Sequence, residues 1–168
     1  MLTLCQTFSC TRNRDLENFI KDESKAISFE KRSITKTYLY ISPSREIVAY
    51  FTISLNVLET SNLSKSTIKK IDGIDKNRTE IACFLIAQLG KSDTCTHLIG
   101  TAILVDAIDT IVEVSKIIGG RVVVLDAVNH TKVIKFYERN HFVRLETISS
   151  ADNMKMYYPL YLDRELSN

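Results

Sequence analysis

A short polar loop between two apolar segments is the first place in this sequence where chemistry is expected. An apolar run, Ile81–Leu89, ends at Gly90, and the polar loop Lys91–His97 follows it. A long segment with apolar residues at helical spacing begins after the loop. Orphan amides and the dipole at the amino end of a helix favour an anion, and α/β folds place ligands at the carboxyl ends of strands. The pattern therefore predicts an anion site at this loop.

The elements around the loop form a strand, a long helix, a second strand, a short helix and a third strand. The run Ile81–Leu89 is too continuous for a half-exposed strand and predicts one that is buried on both faces. The long helix closes at Gly119-Gly120, a C-terminal stop signal. A buried strand at Arg121–Ala127, a helix at Thr131–Asn140 and a strand at Phe142–Glu146 follow. A strand–helix–strand unit favours parallel pairing with a right-handed crossover.

The rest of the chain predicts antiparallel strands and two further helices. The expected fold class is α/β, with a mixed, mostly antiparallel sheet around a central parallel strand pair and with flanking helices. Asn13 is a candidate helix N-cap, and Pro43-Ser44-Arg45 marks a hairpin turn. The expected elements are a strand at Leu2–Cys10, a helix at Arg12–Phe29, strands at Ile34–Ser42 and Glu46–Leu58, a helix at Ser64–Ile71 and a strand at Asn153–Leu162.

Length and composition are those of an ordinary globular chain. At 168 residues, a single domain over residues 1–168 is expected, with enough chain to bury a sizeable core. The net charge of +2 is weakly basic and is no evidence for nucleic acid by itself. The four cysteines lack CxxC spacing and are expected to be reduced thiols, with no metal site. The sequence has no secretory or membrane-length apolar run, which predicts a cytoplasmic protein without a membrane segment.

Three motifs resemble the acetyl-CoA-binding half of the GCN5-related N-acetyltransferases, the GNAT superfamily. Leu85–Gly90 (LIAQLG) resembles the family's acetyl-CoA strand, and Ile99–Ala102 (IGTA) resembles the end of its pyrophosphate loop. Lys135–Phe142 (KFYERNHF) resembles the FYxxxGF segment, with His141 where glycine is usual.

The resemblance extends over most of the chain. Phe8–Cys10 with Asp15–Ile20 is similar to the FxCG…LNxFL opening of one GNAT branch, and Ile47–Ile53 (IVAYFTI) is similar to its IxGYFTL strand. That branch includes toxins of toxin–antitoxin pairs that acetylate aminoacyl-tRNA. The resemblance thus implies a GNAT-like fold in one domain.

The resemblance implies an enzyme that transfers acetyl from acetyl-CoA to a primary amine by direct attack. Tyr137 matches the family tyrosine that serves as general acid, and a phenol with a pKa of about 10 can protonate a departing thiolate. The backbone of Leu89 would polarise the acetyl carbonyl. The residues implied in cofactor binding are Gln88, Leu89, Gly90, Lys91, Thr96, His97, Leu98, Ile99, Gly100, Thr101 and Asn129.

Several of these residues also have a purely structural explanation. Gly100 suits a tight helix start, and Gly90 suits a strand terminus. Tyr137 suits a half-buried core position, and Asn129 suits a helix cap. A general base is not readable from the sequence, since Glu80 and Asp126 both suit ordinary strand ends.

The loop before the long helix departs from the family pattern Q/R-x-x-G-x-G/A. Cys95–Gly100 reads CTHLIG, so Leu98 replaces the first glycine and only Gly100 remains. Lys91, Thr94 and Thr96 are candidate substitute donors. The departure favours an alternative function, a degenerate GNAT-fold binding or regulatory module without turnover. A purely structural subunit is a third reading.

The resemblance leaves the acceptor open among aminoacyl-tRNA, a protein and a small molecule. It also implies an antitoxin or a second copy of the chain as protein partner. Two basic clusters are candidates for holding a tRNA backbone, although such clusters are more often solvated faces. They are Lys31, Arg32 and Lys36, and then Lys65, Lys69, Lys70, Lys76 and Arg78.

Overall fold

A computed structural model describes residues 2–96, 100–145, 147 and 149–161 of the chain. The strands are β1 Lys36–Ile41, β2 Ile47–Glu59, β3 Glu80–Lys91, β4 Val122–Val128, β5 Val143–Arg144 and β6 Asn153–Pro159. The helices are α1 Leu2–Cys5, α2 Arg14–Lys21, α3 Ser28–Lys31, α4 Lys65–Asp72, α5 Gly100–Ile118 and α6 Thr131–Arg139.

The strands form a mixed sheet in the order β1-β2-β3-β4-β6-β5. β3 and β4 pair in parallel, whereas β1 with β2, β4 with β6 and β5 with β6 pair antiparallel. Helices flank the sheet. The predicted α/β class, with its central parallel pair in a mostly antiparallel sheet, is confirmed. No helix within the described ranges is both long and apolar enough to span a bilayer.

The chain divides into two compact units. The amino-terminal unit holds Met1–Ser54 and Ile86–Thr110, and the carboxyl-terminal unit holds Leu55–Leu85 and Ile111–Asn168. The single domain expected from length stays a prediction.

The predicted hairpin forms the sheet part of the amino-terminal unit. The register pairs Tyr38 with Phe51 and Leu39 with Tyr50. Arg45 has a φ of 62°, and its amide donates to the carbonyl of Ser42 over 2.9 Å, which closes the turn. Because side chains alternate along a strand, Leu39 and Tyr50 share the face that packs against the apolar sides of α2 and α3.

The strand predicted at Leu2–Cys10 is wrong. The segment begins with α1, and the amide of Phe8 then donates to the carbonyl of Cys5 over 3.4 Å. Cys5 and Phe8 lie three residues apart, and both are buried. The ring of Phe8 lies edge-on against Tyr50, with 5.1 Å between centroids. A short apolar run does not distinguish strand from helix until its packing partner is known.

The single helix predicted at Arg12–Phe29 is interrupted. Asn13 caps α2 as predicted, accepting the amide of Asp15 over 3.1 Å. The backbone at Asp22 is extended, and its carboxylate accepts the amide of Ser24 over 2.9 Å. A kinked helical turn, Glu23–Ile27, then leads into α3, and Lys25 within it has a non-helical backbone with a φ of −104° and a ψ of −105°. The aspartate side chain offers the backbone a competing hydrogen bond, and it ends one helix while it caps the next segment.

The carboxyl-terminal unit is built on β4. Its parallel register with β3 pairs Phe84 with Val123, and its antiparallel register with β6 runs from Val122 to Val128. The predicted helix at Ser64–Ile71 is confirmed as α4, which Ser64 caps by accepting the amide of Thr67 over 3.1 Å. Its residues Ile68 and Ile71 join a buried cluster with Val122, Val124 and Tyr157.

Three strand expectations are corrected. Within the described residues, the strand predicted at Phe142–Glu146 is only β5, and Glu146 lies outside them. The strand predicted at Asn153–Leu162 ends at Pro159, with Leu162 outside the described residues, although the amide of Leu160 still donates to the carbonyl of Arg121 over 2.8 Å. The burial predicted on both faces of β3 holds for Cys83 and Phe84 but not for Ala82, which is exposed. The opening of β3 is therefore half-exposed.

Candidate functional site

The end of β3 carries the first group of predicted site residues, and all of them lie in the amino-terminal unit. Gln88 and Leu89 are half-buried, and Gly90 is buried. A Cβ at Gly90 would lie 3.3 Å from Leu16 Cδ1 and 3.3 Å from Tyr50 Cε1. These contacts are tighter than ordinary packing, so a side chain at this position would require Leu16 or Tyr50 to shift by a few tenths of an ångström. The core of this unit therefore favours a glycine here whether or not a ligand binds.

The loop after β3 is held by its own polar groups. Lys91 Nζ donates to the carbonyl of Cys95 over 3.0 Å, which spans the loop. The hydroxyls of Ser92 and Thr94 lie 2.9 Å apart, and Ser92 is buried. The carboxylate of Asp93 accepts the amide of Thr11 over 2.7 Å. The structure therefore brings Lys91 and Thr94 together as loop-shaping groups.

The third group of predicted residues begins α5. His97, Leu98 and Ile99 lie outside the described residues. Gly100 is the first residue of this 19-residue helix, and Thr101 follows it as an exposed residue. The predicted strand, loop and helix start thus occur in order within one unit. The amino end of a long helix presents amides that have no intrahelical partner.

Tyr137 lies in the carboxyl-terminal unit, near the end of α6. Ile134, one turn earlier, is buried and fixes the face of the helix that packs inward. The Tyr137 ring contacts Phe136 and Phe142, with centroids 5.0 Å and 5.5 Å away. The Tyr137 side chain is half-buried, and desolvation of its hydroxyl raises its pKa to about 12. Among the described residues, none hydrogen-bonds to its hydroxyl. Tyr137 thus presents a neutral phenol.

The C-terminus of α6 explains how His141 replaces the usual glycine. His141 has a φ of 67°, in the left-handed region that glycine favours. Its amide donates to the carbonyl of Glu138 over 3.0 Å, and the amide of Phe142 donates to the carbonyl of Tyr137 over 3.0 Å. These two bonds and the contact between the Phe142 and Tyr137 rings form a Schellman cap. The cap therefore positions the Tyr137 ring.

Asn129 does not cap α6. His130 does so, because its Nδ1 accepts the amide of Lys132 over 3.2 Å. The side-chain amide of Asn129 instead donates to the carbonyl of Ala151 over 2.9 Å, and its backbone amide donates to the carbonyl of Asp152 over 2.8 Å. Asn129 fastens the turn before β6, and its side-chain oxygen remains an acceptor. Histidine is a rare cap, which is why the sequence favoured the neighbouring asparagine.

The candidate bases have different surroundings. Glu80 is exposed at the start of β3, whereas Asp126 forms an ion pair with Lys155 of β6. All four cysteines are buried free thiols, and burial raises the pKa of Cys83 to about 11. Within the described ranges, no three His, Cys, Asp or Glu side chains cluster as metal ligands. None of these thiols is placed as a ready nucleophile.

In the structure, ion pairs compensate some charges of the two predicted basic clusters, and a third basic cluster is present. Lys36 pairs with Glu30, and Arg78 pairs with Asp72, so both charges are compensated. The exposed lysines of α4 make no ion pair with any described residue; they are Lys65, Lys69 and Lys70. The sequence reading missed an exposed stripe along α6, although its i, i+3, i+7 spacing was visible; it consists of Lys132, Lys135 and Arg139.

No protein-family model matches the sequence, and no curated protein matches it. Solved structures do match in fold. A complex of AtaT with acetyl-methionyl-tRNA has a TM-score of 0.77 at 19% identity, over 98% of this chain and 92% of that chain. A tyrosine-to-phenylalanine variant of the toxin AtaT, bound to acetyl-CoA and to the C-terminus of the antitoxin AtaR, has a TM-score of 0.73 at 16% identity, over 98% and 90%.

A tyrosine-to-phenylalanine variant of KacT has a TM-score of 0.76 at 19% identity, over 96% of this chain and 91% of that chain. These likenesses span nearly the whole of each chain. The chain therefore has the fold of the GCN5-related N-acetyltransferases, as the sequence motifs implied.

Proposed function

We propose that this chain is an N-acetyltransferase that transfers the acetyl group of acetyl-CoA to a primary amine in the cytoplasm. The observation that carries the proposal is the fold match over nearly the whole chain to proteins solved with acetyl-CoA and with an acetylated tRNA. The strand–loop–helix order of the amino-terminal unit and the phenol on α6 support it independently.

The backbone of the amino-terminal unit would hold acetyl-CoA. The parallel pairing of β3 uses Phe84 and Leu85, upstream of Leu89. We assign the Leu89 amide to the acetyl oxygen, where a donor stabilises developing negative charge. Gln88 and Gly90 would line the pantetheine arm of the cofactor. Asn129 of the carboxyl-terminal unit, with its side-chain oxygen as an acceptor, stays a cofactor-binding candidate from the sequence alone.

The start of α5 would receive the pyrophosphate. The amides at Gly100 and Thr101 and the dipole of this 19-residue helix suit an anion. Lys91 and Thr96 would add charge and a hydroxyl at the loop. Acetyl-CoA brings an already activated thioester, so positioning provides much of the rate.

Tyr137 would act at the departing sulfur. Its pKa of about 12 keeps the phenol protonated at neutral pH, so it always carries the hydrogen that the thiolate needs. A raised pKa makes the phenol a weaker acid. Tyr137 would therefore first donate a hydrogen bond to the developing thiolate. The proton would then transfer once the desolvated sulfur becomes basic.

The acceptor that we propose is the α-amino group of an aminoacyl-tRNA. The AtaT complex with acetyl-methionyl-tRNA supports this choice. The exposed lysines of α4 support it from this chain, because a row of exposed cations suits a phosphate backbone. The antitoxin complex of AtaT supports an antitoxin-like protein, or a second copy of the chain, as partner.

Two measurements test the proposal. A thermal-shift titration with acetyl-CoA, with ATP as the polyanion control, measures cofactor binding; ligand at about a hundredfold over Kd adds roughly 2.7 kcal/mol of stability. An acetylation assay with methionyl-tRNA, a protein mixture and small amines then identifies the acceptor. We expect acetyl-CoA, but not ATP, to raise the melting temperature. We also expect the assay to yield acetylated methionyl-tRNA.

A second candidate function is a binding or regulatory module without turnover. The loop sequence CTHLIG, which lacks the first glycine of the family pattern, favours it. Binding of acetyl-CoA without acetylation of any acceptor would support this module. Absence of a thermal shift at millimolar acetyl-CoA would overturn both the transferase and an acetyl-CoA sensor.

A further inference from the structure

The outer edge of β2 extends beyond the reach of its neighbour β1. β2 runs from Ile47 to Glu59, whereas its register with β1 ends where Ile53 pairs with Lys36. β1 is the last strand on this side of the sheet. No strand among the described residues therefore pairs with the outer edge of residues 55–59. An open strand edge presents unpaired amides and carbonyls, and it is a template for another strand.

Hydrogen bonds show which backbone groups of β2 point to that edge. The amide of Thr60 donates to the carbonyl of Thr79, just before β3, over 3.0 Å. Because backbone groups alternate in direction along a strand, even-numbered residues near this end face β3 and odd-numbered residues face outward. The outward amide of Val57 donates to Oδ1 of its neighbour Asn56 over 2.8 Å. A side chain therefore takes the place of the missing strand.

The side chains at this edge are apolar and exposed. Leu55 is 68% exposed and Val57 is 53% exposed, and both point to one face because side chains alternate along a strand. Proteins commonly protect an open edge with a lysine or a proline. Residues 55–58 include neither, and the first charged residue after them is Glu59, at the end of β2. The edge therefore has the character of an interface.

We propose that this edge is a dimer interface, at which a second copy of the chain adds its own β2 in antiparallel register. A two-fold axis at Val57 pairs this residue with Val57 of the second copy and pairs Leu55 with Glu59 of the second copy. The outward-facing residues then exchange about six backbone hydrogen bonds. Because both copies use the same edge, the assembly closes at a dimer. The inference names a surface for one of the protein partners proposed above and does not depend on acetyl transfer.

The start of β1 selects this register. An axis one residue earlier, at Asn56, would run the added strand against Lys36 of β1, which occupies the next position of the same edge. With the axis at Val57, the added strand stops one position short of β1. The ladder then ends at Glu59, which is also where β2 itself ends. The length of β2 therefore matches the length of edge that β1 leaves open.

Charge complementarity favours a second copy over an unrelated strand. In this register Glu59 lies opposite Leu55 of the second copy, two strand positions from that copy's Lys36 and on the same face. The Lys36 side chain is 59% exposed beside its partner Glu30, so its ammonium can donate to a second carboxylate. The two-fold axis repeats this attraction at the other end of the interface.

Sedimentation of the intact chain from micromolar to millimolar concentration measures the assembly. A short interface is weak, so we expect a monomer–dimer equilibrium with a Kd on the order of 100 μM. Val57→Lys should raise this Kd about tenfold or more, because it places a charge at the apolar centre of the edge. Val143→Lys is the matched control. This valine is exposed on β5, at the opposite edge of the sheet, and its substitution should leave the Kd unchanged.

A cysteine at the axis tests the register independently. Directly opposite residues of such a pair have Cα atoms about 5.5 Å apart, which suits a disulfide, whereas diagonal positions are about 7–8 Å apart. On oxidation, Val57→Cys should therefore give a covalent dimer, and Asn56→Cys, which meets its own copy only diagonally, should not. The wild type supplies the background, because its four thiols are buried.

Three results would overturn the inference. A wild type that stays monomeric at millimolar concentration would do so, and it would leave the edge to a strand of another protein. A dimer that Val57→Lys does not weaken, or one that cross-links through Asn56→Cys instead, would do so as well. Leu55→Lys replaces Val57→Lys if the melting curve shows that the latter does not fold. Acetylation is assayed separately, and failure of the dimer leaves the proposed transferase intact, because no residue of this edge is assigned to the reaction.

Discussion

Helices α4 and α6 pack against β4 from opposite faces of the sheet, and each carries three exposed cations. Their apolar sides differ. α4 packs Ile68 and Ile71 into an aliphatic cluster, whereas α6 brings Tyr137 into contact with other aromatic rings. A basic stripe alone therefore does not identify a working surface. Under the proposed function, the group on the buried side of each helix separates a reaction face, which is α6 with Tyr137, from a recognition face, which is α4.

Each of the two helices is followed by a residue with a left-handed backbone, but the residue types differ. Gly73 follows α4 with a φ of 90°, and His141 follows α6 with a φ of 67°. A Cβ at Gly73 would lie 2.6 Å from the guanidinium carbon of Arg121, whose Nε donates to the carbonyl of Ile71 over 3.2 Å. The conformation after α4 therefore favours glycine, and a larger residue would also require the Arg121 guanidinium to move. After α6 the exposed position tolerates a histidine.

The largest expected effect is on the reaction face. Tyr137→Phe should lower kcat about a hundredfold or more, the usual contribution of a positioned acid, while acetyl-CoA binding changes little. Steady-state acetylation and thermal shift measure the two quantities. Tyr38→Phe, an exposed tyrosine of β1, is the control and should keep full activity. An unchanged kcat in Tyr137→Phe would show that Tyr137 is not the general acid.

The second prediction concerns alkaline stability. Burial raises the pKa of Tyr137 to about 12, against about 10 in the unfolded chain. The folded state holds this proton more tightly, so the stabilisation is complete below pH ~10 and is lost as the pH rises toward ~12. The difference in unfolding free energy between wild type and Tyr137→Phe should fall by about 2–3 kcal/mol over that range. Urea titrations measure it, and a constant difference would contradict the desolvated phenol.

The third prediction compares the two basic surfaces directly. Replacing Lys65, Lys69 and Lys70 by glutamine should weaken tRNA binding about tenfold and reduce the salt slope by about 2–3. The matched change on α6 should have a smaller effect. Filter binding over a salt series gives both slopes. The α6 variant replaces Lys132, Lys135 and Arg139. A larger loss of tRNA binding with this variant would reverse the assignment of the two faces.

The smallest predicted effects are at the helix ends. Gly73→Ala should destabilise the chain by about 1–2 kcal/mol, because a left-handed residue with a Cβ is strained, and Arg121 must also move. His141→Gly should stabilise it by up to about 1 kcal/mol and leave kcat unchanged. Calorimetric melting measures both. A loss of kcat in His141→Gly at full stability would show that the imidazole has a role beyond the cap.

By itself, the sequence determined the features that depend on local pattern. The order of strand, loop, long helix, strand and short helix between Glu80 and Arg139 follows from apolar periodicity and glycine stops, and the structure has it within one or two residues at each end. The caps at Asn13 and Ser64 and the Pro43 turn are equally local. The motifs on these elements were enough to identify the fold.

Only the tertiary structure decided which distant residues meet. Phe8 packs on Tyr50 after the helix α1, where a strand was expected, and a side chain at Gly90 would press on the same cluster. Asp126 finds Lys155 across 29 positions of sequence, and this ion pair occupies a carboxylate that the sequence alone left open as a candidate base. Such pairings depend on sheet register and side-chain packing over long separations, and neither periodicity nor motif spacing carries that information.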